Sequence, residues 1–272
     1  MAFTVLTTII LVASVLGLLA WASAALVRND RADPMAGLLL LIMKAYARVM
    51  QRVRIEGREH IPDRTHAGPL IIVSNHTAGA DVPILQSLCR FEIRWIMARS
   101  MQIESLQWFW EWANVIGVDL GARDTRAMRE AIRHVSGGGV LGIFPEGGLE
   151  RPPRQIMPFQ PGVGLLVKKT GARVLPILIS GTPQVEPAWA SLWRFGRARV
   201  RAFPMIDYSK MELSASEIVQ DLQRRYEEWS GWPVNPRGPK RPPVPQVEAP
   251  ECDGVSAAAI PPTDIRAARD AA

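Results

Sequence analysis

The chain begins with an uncharged run. Residues 3–27 are 25 consecutive positions without Asp, Glu, Lys or Arg, about 37 Å as a helix and long enough to cross a hydrocarbon core of roughly 30 Å. Arg28 and Arg31 follow it and no cation precedes it, which predicts a membrane anchor over residues 1–30 with the remainder on the cytoplasmic side of the cell membrane. The rival reading is a cleavable signal peptide, because Ala22-Ser23-Ala24 resembles a cleavage site. Residues 35–50 start Leu-rich, and Lys44, Arg48, Arg52 and Arg54 then recur at or near helical spacing. This pattern predicts for 31–54 either an amphipathic helix lying on anionic lipid or a core helix with a solvated basic face.

From Ile55 onward, short β-rich runs alternate with helical segments, the ordering of an α/β layer fold. Strands are expected at 70–74, 93–98, 140–144, 174–180 and 200–206, with a further short one near Gly117. Helices are expected at 103–115, 125–135, 162–169 and 214–229, the last opening with the capping-box pattern Ser214-Ala215-Ser216-Glu217. After Trp232 the pattern dissolves into Pro-rich sequence with little apolar periodicity, so the globular part is placed at 55–232 and an unstructured tail at 233–272.

Composition narrows the partners more than the fold. A net charge of +6 and a pI near 9.8 favour an anionic partner: a membrane surface, a nucleic acid or a phosphorylated small molecule. The anchor makes lipid headgroups the simpler anion for the interleaved Trp189, Trp193, Arg194, Arg197, Arg199 and Arg201, and no nucleic-acid partner is expected. Trp108-Phe109-Trp110-Glu111-Trp112 points aromatics around a helix in nearly every direction, so some face outward, as at a membrane interface. Cys89 and Cys252 are too few for a Cys-ligated metal, and no metal site is expected. Gly137-Gly138-Gly139-Val140-Leu141-Gly142 formally matches a dinucleotide-binding pattern, but it follows a helix and precedes a strand. That is the reverse of the order which aims phosphates at a helix amino terminus, so a helix stop explains it better.

The chemistry begins where the expected strand at 70–74 stops. Asn75-His76 is followed by turn residues and then by Asp81, five positions beyond the histidine. Imidazole accepts a proton near neutral pH, and a carboxylate on its other nitrogen fixes the tautomer and supports the imidazolium. His60, His66 and His134 have Thr65, Ile71 and Gly139 at the same offset, so His76 alone has an acidic partner there. The plain alternative is a loop histidine beside a helix-capping aspartate. Two more blocks end in candidate functional residues: Gly117 to Arg123, and Phe144-Pro145-Glu146-Gly147 with Arg151 and Arg154 beyond it.

Together these blocks resemble the glycerolipid acyltransferase family that contains 1-acylglycerol-3-phosphate acyltransferase. The N-H-x-x-x-x-D and F-P-E-G patterns are complete, Gly117 and Arg123 supply a Gly with Arg six residues on, and Pro176 lies inside a β-rich run. The four stand in the family's order across roughly 55–208. The resemblance implies a mixed β-sheet flanked by helices and transfer of a fatty acyl group from acyl-CoA or acyl carrier protein to a lysophospholipid hydroxyl, without a cofactor. His76 would be the general base and Asp81 its support. Asn75, Gly117, Arg123, Phe144, Pro145, Glu146 and Gly147 would line the substrate site, and backbone amides of the 75–80 loop would supply the oxyanion donors.

One departure bears on the acceptor. Family members acting on lysophosphatidate continue F-P-E-G with Thr-Arg-Ser, where this chain has Gly148-Leu149-Glu150. Either Arg151 takes over the missing arginine's role, or Arg151 is a solvated loop cation and the acceptor is a phosphate-free lipid or lipoamino acid. Other readings are a lipid-binding scaffold without catalysis, and a hydrolase in which His76 activates water; no Gly-x-Ser-x-Gly elbow occurs.

Overall fold

The computed structural model describes residues 1–119 and 124–236. In chain order its strands are β1 (Arg54–Glu56), β2 (Leu70–Ser74), β3 (Arg94–Ala98), β4 (Ile116–Val118), β5 (Val140–Ile143), β6 (Arg173–Ser180) and β7 (Arg199–Ala202). The α-helices are α1 (Ala2–Val27), α2 (Pro34–Val49), α3 (Asp81–Leu88), α4 (Gln107–Trp112), α5 (Thr125–Ser136), α6 (Pro161–Thr170) and α7 (Ala215–Ser230). The strands form one sheet in the order β1-β7-β6-β2-β5-β3-β4, parallel throughout except for the antiparallel β6–β7 pair. The expected mixed α/β sheet is therefore present.

β2 is the middle strand, and all five of its residues are buried. Side chains alternate across a strand, and here the alternation divides the core. Ile71 and Val73 join Val135, Val163, Leu166, Leu222 and Tyr226 beneath α5, α6 and α7. Leu70 and Ile72 join Ile84, Leu85, Phe91 and Trp95 beneath α3. Both faces are covered, as a near-continuous apolar strand requires.

Pro176 lies opposite Val73 in the β2–β6 pair and cannot donate to the ladder. The buried Tyr226 hydroxyl compensates, donating to Val73 O at 2.7 Å while accepting the Ile177 N–H at 3.0 Å. α7 is thereby hydrogen-bonded into the sheet, and its amino terminus carries the expected capping box between Ser214 and Glu217.

Boundaries differ from the sequence pattern in three places. The helix expected at 103–115 is a 3-10 turn (Glu104–Leu106) followed by the shorter α4, because its aromatics pack in several directions: Trp110 is buried while Trp108 is exposed. The strand expected to reach 206 ends at Ala202, and Ile206 makes only an isolated bridge to Val174. β1 is an exposed three-residue edge strand with too little apolar pattern to announce itself. The Gly-rich segment is a helix stop: Gly137 caps α5, Gly138 has φ +89°, and β5 begins at Val140.

α1 is long and apolar enough to cross a membrane, and none of its most apolar window is buried. It meets α2 closely, since a Cβ on Gly37 would lie 1.9 Å from Leu26 O. The connection is tied to the sheet domain: Arg31 bonds Glu92 and Trp112 O, Asp33 accepts from the Trp112 indole at 2.9 Å, and Asp30 accepts from Arg64 and the Glu92 N–H. α2 packs on α3 through one side, Tyr46 reaching the core, and exposes Met35, Leu38, Leu41, Ile42 and Val49 on the other beside Lys44 and Arg48. Pro233 O and Asn235 N–H bond the backbone of Ile156, so pairing continues just past Trp232. The rest of the Pro-rich tail, 237–272, lies outside the described residues.

Candidate active site

β2, β3, β4, β5 and β6 run in one direction, so their carboxyl ends open on one edge of the sheet. At the end of β2, Asn75 is fully buried, and its side-chain amide donates to Ile179 O at 2.9 Å and accepts the Ile179 N–H at 2.8 Å. The side chain thus continues the pairing with β6 while the backbone turns away, and the next residue is His76.

Asp81 is the first residue of α3, where the helix dipole favours a negative charge. Its buried carboxylate accepts from Thr77 N at 2.6 Å, Ala78 N at 2.9 Å, Thr77 Oγ1 at 2.9 Å and His76 Nδ1 at 2.9 Å. An aspartate that accepts at Nδ1 leaves the lone pair on Nε2, which has no protein partner among the described residues. The same bonds change one expectation. The amides of Thr77 and Ala78 serve Asp81 and that of Ala80 donates to Ser191 Oγ at 3.1 Å, so these loop amides are not free for an oxyanion.

The imidazole is fixed on its face as well as its edge. It stacks on Phe144 with ring centroids 3.9 Å apart and planes at 13°, and Phe144 stacks in turn on Trp95 at 5.3 Å. Gly142 allows this arrangement: a Cβ there would meet the Trp95 ring at 2.5 Å. Among the described residues, Trp95, Thr77 and Thr182 support the site without matching any motif, Thr182 by bonding Thr77 Oγ1. Sequence reading had no signal for Trp95 and Thr182, which reach the site only after strands pair, whereas Thr77, next to His76 in the chain, reads as a turn residue.

Two buried carboxyls adjoin the pair. Glu146 has no exposed surface, and neither carboxyl oxygen has a hydrogen-bond partner among the described residues. Burial pushes its pKa well above the ordinary carboxylate range and Glu150 adds to the rise, while the nearby amides of His76 and Met157 oppose it. Glu150 is raised by burial too, against the backbone N–H of Arg154. Gly147 follows at φ +69°, a conformation that glycine supplies without strain, and Pro145 O accepts from Gln160 N at 2.7 Å.

Arg151 reaches this loop, but its guanidinium is engaged with Thr77 O at 3.0 Å, Glu150 O at 2.7 Å and Glu186 at 3.1 Å. Gly117 sits in β4, where a Cβ would come within 3.0 Å of the Arg99 guanidinium. Arg123 lies outside the described residues. Among the described residues, no group of three or more His, Cys, Asp or Glu is arranged to hold a metal ion.

Comparison with known proteins shows which class the chain resembles. Residues 52–180 match the family model described as Acyltransferase. Within the class, the resemblance to glycerolipid acyltransferases holds. The chain is 27% identical over 172 residues to the chloroplastic 1-acyl-sn-glycerol-3-phosphate acyltransferase LPAT1 of Arabidopsis thaliana, covering 61% of this chain and 47% of that one. It is 28% identical over 169 residues to the chloroplastic 1-acyl-sn-glycerol-3-phosphate acyltransferase BAT2 of Brassica napus, covering 60% and 47%. The chain thus spans about half the length of these curated relatives. The crystal structure of the 1-acyl-sn-glycerophosphate acyltransferase PlsC of Thermotoga maritima shares the fold, with TM-score 0.60, 24% identity, and coverage of 79% of this chain and 86% of that one.

Proposed function

We propose that this protein transfers a fatty acyl group from a thioester donor, acyl-CoA or acyl carrier protein, to the hydroxyl of a lysophosphatidate-like acceptor at a membrane. The observation that carries the reading is the His76–Asp81 pair, bonded at 2.9 Å with Nε2 left for a substrate. His76 Nε2 takes the hydroxyl proton as that oxygen attacks the thioester carbonyl. Asp81 supports the imidazolium, and collapse of the tetrahedral adduct expels the thiolate, to which the proton returns. A thioester is already activated, so the acceptor alone needs a base and no acyl-enzyme is required. Phe144 to Gly147, with Gly117 and Arg123, form the acceptor side. Cytoplasmic membrane attachment through α1, with the apolar outer stripe of α2 at the lipid surface, is part of the proposal and draws on the exposure of both.

A phosphate-free acceptor is the second reading, favoured by one observation: Leu149 and Glu150 stand where the family pattern has Arg-Ser, and Arg151 is already engaged. Membranes containing the protein, incubated with labelled acyl-CoA and a panel of lysolipids, test both. Labelled phosphatidate formed from lysophosphatidate is the expected product. Product from neutral lysolipids alone would select the second reading, and release of free fatty acid alone would mark a hydrolase.

A further inference from the structure

We infer that the cleft beyond the ends of β6 and β7 binds the phosphate of the acyl donor's phosphopantetheine arm through Arg154, Arg197 and Arg199. The inference rests on the acyl-transfer reading and says where its second substrate lies.

The cleft encloses about 590 Å³, within the usual range for a small-molecule site, and its walls include Thr77, Glu150, Arg154, Arg197, Arg199 and Trp232. Nearby Arg151 and Arg201 are paired with Glu186 and Glu56. The guanidinium groups of Arg154, Arg197 and Arg199 have no carboxylate partner among the described residues, although all three face one cavity. Unpaired cations gathered around a concave space are the electrostatic complement of an anion, and guanidinium suits phosphate through its planar donor fork. Two buried oxygens in the same wall, Glu150 Oε2 and Gln184 Oε1, also lack partners among the described residues. Burial holds the Glu150 carboxyl above its ordinary range, and in its acid form it donates to a phosphate oxygen instead of repelling it.

Topology assigns the anion to the donor. β2, which delivers His76, has β5, β3 and β4 on one side and β6 and β7 on the other. The proposed acceptor residues Phe144, Glu146 and Gly147 directly follow β5 and Gly117 lies in β4, whereas the cleft is built on Ser180, Thr182, Arg197 and Arg199 beyond β6 and β7, together with Glu150 and Arg154 from the far part of the loop after β5. The loop after β5 crosses between the two sides: Glu150 N–H bonds His76 O at 2.6 Å and Arg151 bonds Thr77 O. Two substrates can therefore reach His76 from opposite sides of β2.

Titration calorimetry of the full chain in detergent micelles tests this with coenzyme A, free 4′-phosphopantetheine as carried by acyl carrier protein, unphosphorylated pantetheine, and lysophosphatidate. The first two are expected to bind, and Arg197→Gln and Arg199→Gln to weaken each at least about 10-fold, as loss of a charge-assisted bond would. Pantetheine binding should not respond to these changes, Arg197→Lys should retain part of the affinity, and Arg129→Gln on α5 should match the wild type. In turnover, the donor KM should rise and the acceptor KM should not. Folding is checked by thermal unfolding; both arginines are exposed, so the variants should melt as the wild type does. Unchanged coenzyme A affinity in the variants overturns the proposal. So does weakened binding of lysophosphatidate, or of phosphatidylglycerol vesicles, with coenzyme A unaffected, since the anion would then be the acceptor or the membrane. If no acceptor is acylated but coenzyme A binding is lost on Arg197→Gln, the transfer reading fails while the phosphate site stands.

Discussion

The backbone N–H of Glu150 donates to the carbonyl oxygen of His76 at 2.6 Å. This bond joins the third sequence block to the first, and places the residues that depart from the family pattern against the backbone of the proposed base.

Replacing the base is the most direct test. His76→Ala should lower turnover by about 10²- to 10⁴-fold, the usual contribution of general-base catalysis, and Asp81→Asn should also be severe because the tautomer is no longer fixed. Steady-state transfer by purified protein measures both. Retention of more than about a tenth of turnover in His76→Ala would mean another group is the base.

Glu146 makes stability depend on pH in a stated direction. A carboxyl whose folded pKa exceeds its unfolded value contributes stability that is complete below the unfolded value, near 4.5, and is lost as pH rises through the folded value. Glu146→Gln should therefore raise the Tm at pH 8 relative to wild type and leave little difference at pH 4, while impairing transfer if Glu146 contacts the acceptor. Thermal unfolding across that range decides; a Tm gain independent of pH would remove the buried carboxyl as its cause.

Tyr226→Phe isolates the hydroxyl that stands in for the missing Pro176 donor. Val73 O and Ile177 N–H would be left buried with one partner fewer, a loss of roughly 1–3 kcal/mol. Denaturant unfolding should show a lower midpoint at unchanged slope, since the ring and its packing remain.

Arg151 separates two roles by kinetics. If its bonds to Thr77 O and Glu150 O position the catalytic loop, Arg151→Ala should lower kcat equally for phosphorylated and phosphate-free acceptors. A rise in KM confined to lysophosphatidate would instead make Arg151 the phosphate ligand that replaces Leu149's usual arginine.

The anchor is tested on the intact mature chain. Residues 3–27 should be retained, and mass spectrometry should find the amino terminus ahead of them. A mature amino terminus near Ala25 would identify a cleaved signal segment.

Local chemistry was enough to read β2, α5, α6 and α7, because apolar periodicity and capping depend on neighbours a few residues apart. The His76–Asp81 pairing was legible for the same reason: five residues of turn and helix start suffice to bring the two together. What the sequence could not decide was everything that depends on strand order. Phe144 stacks on the imidazole only because β5 pairs with β2, and Trp95 backs Phe144 only because β3 pairs with β5 and Gly142 has no side chain. Arg154, Arg197 and Arg199 share a cleft only because β7 runs antiparallel to β6 and the loop after β5 crosses β2. Such contacts join residues far apart along the chain, and no periodicity within one segment encodes which segment will pair with it.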